Sequence, residues 1–284
     1  MTESTASAAA QAGVYVNVGC GSVHHPAWRN YDLVSQSPDV IACDLRNGIP
    51  VADAGADAVY SSHVLEHLRR HEVPGFLAEC RRVLAPSGTL RIVVPDLEGI
   101  CRTYLDRLEA ALAGEPGVED DYDWIMLELF DQTVREEPGG GMRAYLTSGP
   151  VPNVDFVRRR IGSEADSMLA PAAATTGAAP HVRAVRAARR SLHQWRTTTR
   201  ARLLGPDGPD VARLGRMRMS GEVHQWMYDR YSLARLLEQN GFRSAQATSA
   251  VNSAVPGWSS FHLDTDETGA IRKPDSLFME SVRP

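Results

Sequence analysis

Val14-Tyr15-Val16-Asn17-Val18-Gly19-Cys20-Gly21 constrains this chain more than any other stretch. Residues of strand character run into a Gly-x-Gly turn, where glycine lets the backbone bend sharply and leaves room for a ligand against the main chain. Alone, such a turn is an ordinary strand end. The next three strand ends give it weight. Asn30-Tyr31-Asp32-Leu33 ends a second short strand in an acid, and Val40-Ile41-Ala42-Cys43-Asp44-Leu45 ends a third the same way. Asp57-Ala58-Val59-Tyr60 supplies a fourth, opening into Ser61-Ser62-His63. Four successive strands closing on polar groups predict one ligand cradled along the carboxyl edge of a parallel sheet.

Residues 64–70 read as a short helical turn. Residues 73–84 read as a clearer helix, with Phe76, Leu77, Cys80, Val83 and Leu84 on one face. Pro86-Ser87-Gly88 stops it, and 89–94 is a branched, apolar fifth strand. This alternation predicts a doubly wound α/β sheet. Beyond Gly99 the pattern changes to helices at 100–112 and 121–136, with Trp124, Leu127 and Phe130 as core candidates, until Pro138-Gly139-Gly140-Gly141 breaks the chain. Residues 163–180, rich in Ala, Ser, Thr, Gly and Pro, are expected to form a mobile loop. Val182, Val185, Leu192, Trp195 and Leu203 then recur at helical spacing on a basic segment that Gly205-Pro206-Asp207-Gly208-Pro209 ends. A helix at 231–239 and strands at Arg243–Thr248 and Ser276–Val282 complete the reading. The expected organisation is a disordered tail over 1–12, a core formed by 13–98 and 227–284, and a helical cap inserted at 99–226.

On these residues the chain resembles class I S-adenosylmethionine-dependent methyltransferases of the type 11-like subgroup. Val16-Asn17-Val18-Gly19-Cys20-Gly21, Asp32 and Cys43-Asp44-Leu45 look like the first three motifs of that class. Ser61-Ser62-His63-Val64-Leu65-Glu66-His67 and Arg82-Val83-Leu84-Ala85-Pro86-Ser87-Gly88-Thr89-Leu90 continue the pattern. The resemblance is specific over 14–96 and looser at 228–242 and 275–283. It implies a Rossmann-like, seven-stranded sheet and S-adenosylmethionine as cofactor. Asn17, Gly19, Cys20, Gly21, Asp32, Asp44, Leu45, Ser61, Ser62 and His63 are then its expected binding residues. Gly19 and Gly21 would approach the methionyl part, Asp32 would accept from the ribose hydroxyls, and Asp44 with Leu45 would flank the adenine. A nicotinamide site is disfavoured, because the third glycine is missing and the acid follows too soon.

His63-Val64-Leu65-Glu66-His67 formally matches an inverted zinc-protease signature. The segment begins at a strand end that the methyltransferase resemblance already explains, so no metal is expected. A hydroxyl acceptor benefits from a general base, and imidazole titrates near neutrality. His63 is the first candidate and His224 the second, with packing against the cofactor as the alternative role for His63.

Two further segments are unusually polar and aromatic. Residues 124–135 place Glu128, Gln132 and Arg135 on one helical face with Trp124 nearby, and 221–230 gather Glu222, His224, Trp226 and Tyr228. Both resemble a subgroup often associated with saccharide modification. Such residues suit sugar hydroxyls, and equally a buried polar network. The expected acceptor is a hydroxyl of a saccharide or a glycosylated small molecule. A natural-product scaffold with an oxygen or nitrogen acceptor, or a non-catalytic cofactor-binding module, remains the alternative.

Composition narrows the setting. A hydrophobic share of 43% with 23% charged residues is ordinary for a soluble globular protein. The Ala/Ser/Thr-rich start lacks a basic, apolar leader pattern, no apolar run approaches a membrane span, and four scattered cysteines suit a reducing cytoplasm. Between Glu109 and Glu137 ten acids face one arginine, and from Arg158 to Arg218 thirteen arginines face four acids. The basic stretch lacks a nucleic-acid-binding motif and the isoelectric point is about 6.0, which disfavours nucleic acid as a partner. A second copy of the chain is left open.

Overall fold

The computed structural model describes residues 13–169 and 208–284; the expected tail, the later part of the 163–180 loop and the basic helix at 182–203 lie outside them. Seven strands form one sheet: β1 (Tyr15–Val18), β2 (Trp28–Asp32), β3 (Val40–Ala42), β4 (Ala56–Ser62), β5 (Leu84–Pro95), β6 (Arg243–Thr248) and β7 (Ser276–Val282). Their order is β3-β2-β1-β4-β5-β7-β6. The first five are parallel, and β7 runs antiparallel to both β5 and β6. The expected seven-stranded α/β sheet is therefore present.

Strand alternation sorts the side chains into two faces. Val16, Val18, Tyr31, Val59, Leu90 and Ile92 share a core with Phe76, Leu77 and Cys80 of α1 (Val73–Val83) and with Leu233 and Leu237 of a later helix, Arg230–Gln239. That later helix opens on a capping box, Asp229 accepting from the Tyr231 and Ser232 amides. Trp28, Ala58, Tyr60, Val93 and Phe278 belong to the opposite core.

The opposite core is covered unusually. β1 and β2 are joined by residues 19–27 and β2 and β3 by 33–39, with no helix in either link. Parallel crossovers are normally longer and helical. Val255, Trp258 and Leu263, from the connection between β6 and β7, pack there instead, with Phe261 against them. Arg91 of β5 ties this connection down. Its guanidinium donates to Asp264 Oδ2 (2.7 and 2.9 Å), to Glu280 Oε1 (2.8 Å) and to the Ser249 and Asn252 carbonyls. It also lies 4.4 Å over the Trp258 ring. Tyr60 donates to the other oxygen of Asp264 at 2.5 Å. The fully buried arginine is thus matched by two carboxylates and two carbonyls, which offsets its desolvation.

β5 begins five residues earlier than the predicted 89–94 strand. Pro86-Ser87-Gly88 ends the helix but does not delay the sheet. It forms an irregularity opposite Ala56–Ala58, with Ser87 at φ +63°. A Cβ on Gly88 would lie 2.9 Å from the Ala85 carbonyl and 3.1 Å from that of Asp57, so the close strand approach needs glycine.

The chain divides into two compact units. One comprises Met1–Asp96, Tyr228–Ile271 and Ser276–Pro284; the other comprises Leu97–Met227 and Arg272–Asp275. The second is helical: α2 (Leu97–Leu112), α3 (Glu119–Val134), α4 (Gly140–Thr147), α5 (Val154–Ile161), α6 (Ser163–Leu169) and α7 (Gly208–Arg218), with α8 (Arg230–Gln239) returning to the first. Its core gathers Trp124, Met142, Leu146, Val157, Ile161 and Ala165. Residues 163–169, read in the sequence as the start of a loop, are helical. Glu164 and Asp166 suit a first turn, and Ala165 is buried in the core. Phe130, a predicted core residue, is half-exposed, because the buried face of α3 runs through Trp124, Ile125, Glu128 and Asp131. Among the described residues no helix is long and apolar enough to cross a membrane.

Candidate active site

The carboxyl ends of β1, β2 and β4 gather most of the sequence-predicted cofactor residues. After β1 the chain turns back on itself, with the Gly19 and Cys20 amides both donating to the Tyr31 carbonyl at 2.7 and 3.2 Å. Gly19 has φ +70°, and a Cβ there would fall 2.2 Å from Val64 Cγ2. Gly21 has φ +53° with nothing within 4 Å of where a Cβ would stand, so its main chain faces open space. Asn17 is buried beneath this turn, donating to the Val23 carbonyl and to Asn30 Oδ1 at 3.2 Å each. It braces the loop from below. The Cys20 thiol is also buried, and burial, reinforced by Asp32, pushes its pKa up to about 11.

Asp32 ends β2 and is already organised. Oδ2 accepts from the Gly21 amide at 2.8 Å and Oδ1 from the Val34 amide at 3.3 Å. A carboxylate has about four lone-pair sites, which leaves acceptor capacity for a vicinal diol. Beside it Leu33 and Val34 are 62% and 60% exposed. The sequence reading passed over these two. Their signal was a pair of apolar residues placed directly after a strand-end acid, where the chain should be wet.

Asp44 follows β3 and is held by its own turn. It caps the short 3-10 turn Leu45–Asn47, Oδ1 accepting from the Arg46 amide at 3.1 Å. The Arg46 guanidinium forks across both its oxygens at 2.9 and 2.7 Å and holds its carboxyl below the usual range. Asp44 also lines a cavity of about 330 Å³ with Cys43, Asn47, Ile49, Glu79 and Arg82.

At the end of β4, Ser61 is buried and its hydroxyl has no hydrogen-bond partner among the described residues. Ser62 is next, and then His63, whose backbone sits at φ +54° while its amide donates to the Val93 carbonyl at 2.9 Å. Left-handed backbone at a residue other than glycine is uncommon and clusters at functional positions. Nε2 shares a hydrogen bond of 2.9 Å with Ser276 Oγ, and Nδ1 lies 3.1 Å from Glu66 Oε1 but outside hydrogen-bond geometry. Tyr228, paired with Asp96 in a short bridge, is buried; burial, with the Glu66 charge behind it, pushes its hydroxyl up to about 12.

The predicted acceptor residues of the helical unit are mostly engaged with one another. Trp124 is fully buried and donates to Glu128 Oε1 at 2.5 Å. Glu128 is gripped by Arg160 at 2.6 Å, yet burial outweighs that partner and raises its pKa. Arg135 pairs with Asp131 at 2.8 Å and with Glu222 at 3.3 Å. Those two acids also receive the amides opening α4: Glu222 from Gly139 and Asp131 from Gly141. The glycine run read as a chain breaker is therefore a carboxylate-filled helix start. Gln132 offers its backbone carbonyl to the buried His224, while Trp226 is 42% exposed.

Residues 23–92 match the family model described as a methyltransferase domain. Among solved structures, a SAM-dependent methyltransferase from Thermotoga maritima is similar at 10% identity and a TM-score of 0.37, over 96% of this chain and 83% of that one. A SAM-dependent methyltransferase from Archaeoglobus fulgidus is similar at 10% identity and 0.37, over 95% and 86%. The Burkholderia thailandensis 1,6-didemethyltoxoflavin-N1-methyltransferase, solved with S-adenosylhomocysteine, is similar at 19% identity and 0.25, over 30% of this chain and 45% of that one. No curated protein sequence matches the chain. Likenesses at this level identify neither acceptor nor mechanism. Residues 23–92 thus match a methyltransferase domain, and they lie within a seven-stranded α/β sheet.

Proposed function

We propose that this chain is a methyltransferase acting on a hydroxyl of a saccharide or glycosylated small molecule. Its cofactor is S-adenosylmethionine, which supplies an electrophilic methyl carbon and a sulfur that leaves with the bonding electrons. The residues present fit that group. The open main chain at Gly21 offers room for the methionyl part, Asp32 retains acceptor capacity for the ribose, and exposed Leu33 and Val34 with Leu45 offer apolar cover for the base. Ser61, Ser62 and His63 come next along the same edge.

The observation that carries an oxygen acceptor is His63. An imidazole at the carboxyl end of β4, held in left-handed backbone, is suited to take a hydroxyl proton. Since the cofactor brings the activated carbon, the protein's remaining work is orientation, water exclusion and that proton. None of these needs a metal.

The saccharide class rests on the resemblance of 124–135 and 221–230. Trp226 supports it as an exposed aromatic surface able to pack against a sugar face. We assign acceptor recognition first to Trp226 and Gln132 of the helical unit, and then to His224 and Tyr228. Trp124, Glu128, Arg135 and Glu222 support the helical unit through the network they form. All four cysteines are free thiols, which fits the expected cytoplasmic setting. The test is incubation with methyl-labelled cofactor and a panel of saccharides, glycosides and amines, read by mass spectrometry. Label on sugar oxygen is expected; label confined to amines would overturn the acceptor class.

A further inference from the structure

We propose that Arg46 is a positioning residue for Asp44: its fork leaves that carboxylate one acceptor position, fixed in direction, which favours an adenine amino group over a carbonyl. This rests on the S-adenosylmethionine reading above. The resemblance gives Asp44 to the adenine and says nothing of Arg46; the structure ties the two together. β3 ends at Ala42, and Asp44, with extended backbone at φ −84° and ψ 104°, opens the 3-10 turn Leu45–Asn47. Its Oδ1 accepts from the Arg46 amide at 3.1 Å and from Arg46 Nε at 2.9 Å, while Oδ2 accepts from Nη2 at 2.7 Å. One residue thus holds the carboxylate through both its main chain and its side chain.

Lone-pair accounting gives the consequence. A carboxylate offers about four acceptor sites. Two on Oδ1 and one on Oδ2 are taken, so among the described residues Oδ2 keeps one. The turn cap alone would not aim it, because the last torsion of an aspartate side chain is broad and roughly two-fold. The guanidinium is planar, and its two parallel bonds bring the carboxylate into its plane. That sets the direction of the remaining lone pair. Charge matters as well as direction. The Arg46 hydrogen bonds hold the Asp44 carboxyl below the usual range, so it stays an acceptor where an unpaired aspartate takes up a proton and becomes a donor.

The cavity that Asp44 lines carries the same bias. Its other charged neighbours, Glu79 and Arg82, are bound to each other. All five Arg82 N–H donors are engaged, two with Glu79, one with Asp53 and two with the Ile49 and Val51 carbonyls. Arg82 therefore has no donor left for a base, whereas Asp44 has an acceptor to offer. An amino group meets that acceptor; a carbonyl in its place sets two acceptors against each other.

Calorimetric titration tests this without an acceptor or turnover. The ligands are S-adenosylhomocysteine and S-inosylhomocysteine, in which a carbonyl replaces the amino group. Native protein should prefer the first by about tenfold or more. Arg46→Ala should reduce that preference by roughly threefold. Its affinity for S-adenosylhomocysteine should also fall as pH drops through the ordinary aspartate range, where native affinity holds. Arg46→Lys keeps the charge without the fork, so it should restore the native pH profile and leave the preference reduced. The Arg46 side chain is 64% exposed, so neither substitution opens a cavity, and melting curves check that the fold persists. Arg46→Ala with its preference or its pH profile unaltered would overturn the proposal. So would tighter binding of S-adenosylhomocysteine by that variant, which would make Arg46 a competitor for Asp44. Native protein that binds both ligands equally also overturns it and leaves the cofactor site standing. Native protein that binds neither ligand defeats the methyltransferase reading itself.

Discussion

The carboxyl edge of the sheet and the polar face of α3 contain the same kinds of residue and use them in opposite ways. At the sheet edge Asp32 is bound, among the described residues, by backbone amides, retains lone pairs and stands beside exposed Leu33 and Val34. On α3 Glu128 and Asp131 are buried and gripped by Arg160 and Arg135. A strand end exposes its last residues because the sheet stops there. A helix in a multi-helix unit turns successive polar groups into the core, where each must find a partner. Acids in a polar, aromatic segment are therefore weak evidence of a site until their partners are known.

Five expected outcomes would break or sharpen that contrast. Arg160→Ala leaves Glu128 buried without its cation and should cost about 3 kcal/mol, read as a lowered denaturant midpoint. The pH dependence shares this origin. Burial raises the Glu128 pKa in the folded state, so its contribution to stability is complete below the ordinary glutamate range and declines as pH rises through the raised value. Glu128→Gln should flatten that part of the stability profile.

Arg135→Ala removes partners from Asp131 and Glu222 together and should lower stability by about 2 kcal/mol. Cofactor affinity, measured by calorimetry, should stay the same. An unchanged melting curve with a raised acceptor KM would move Arg135 from the network to the binding surface. Asp32→Ala should do the reverse, weakening cofactor binding at least tenfold, about 1.4 kcal/mol, while the fold persists. Unaltered affinity would remove Asp32 from the site. The smallest effect on stability is expected for Trp226→Ala, within about 0.5 kcal/mol by thermal melting, with the loss appearing in acceptor KM. A larger stability loss would make Trp226 a packing residue like Trp124.

What could be read without coordinates was local. Gly19, Gly21 and Asp32 were legible because a strand, a sharp turn and a terminal acid are neighbours in sequence. The strands were legible through their two-residue alternation, and α1 through its apolar face. The start of β5 was missed because Pro86-Ser87-Gly88 carries a stop signal that pairing with β4 overrides. Asp44 was legible as a strand-end acid, but its fork with Arg46 was not, because the same acid suits both a turn cap and a ligand.

Sequence by itself determined the order of strands along the chain, the glycine turn and the acids at the strand ends, all products of spacing over a few residues. Tertiary structure decided the rest. It brought Asp264 to Arg91 across 173 residues of chain and Ser276 to His63 across 213. It also set the β6–β7 connection over a sheet face left without helices in the β1–β3 links. Partnerships between distant residues leave no periodicity to read. They arise when burial removes water as the competing partner, so that each enclosed charge has to be met by whichever group the fold brings beside it.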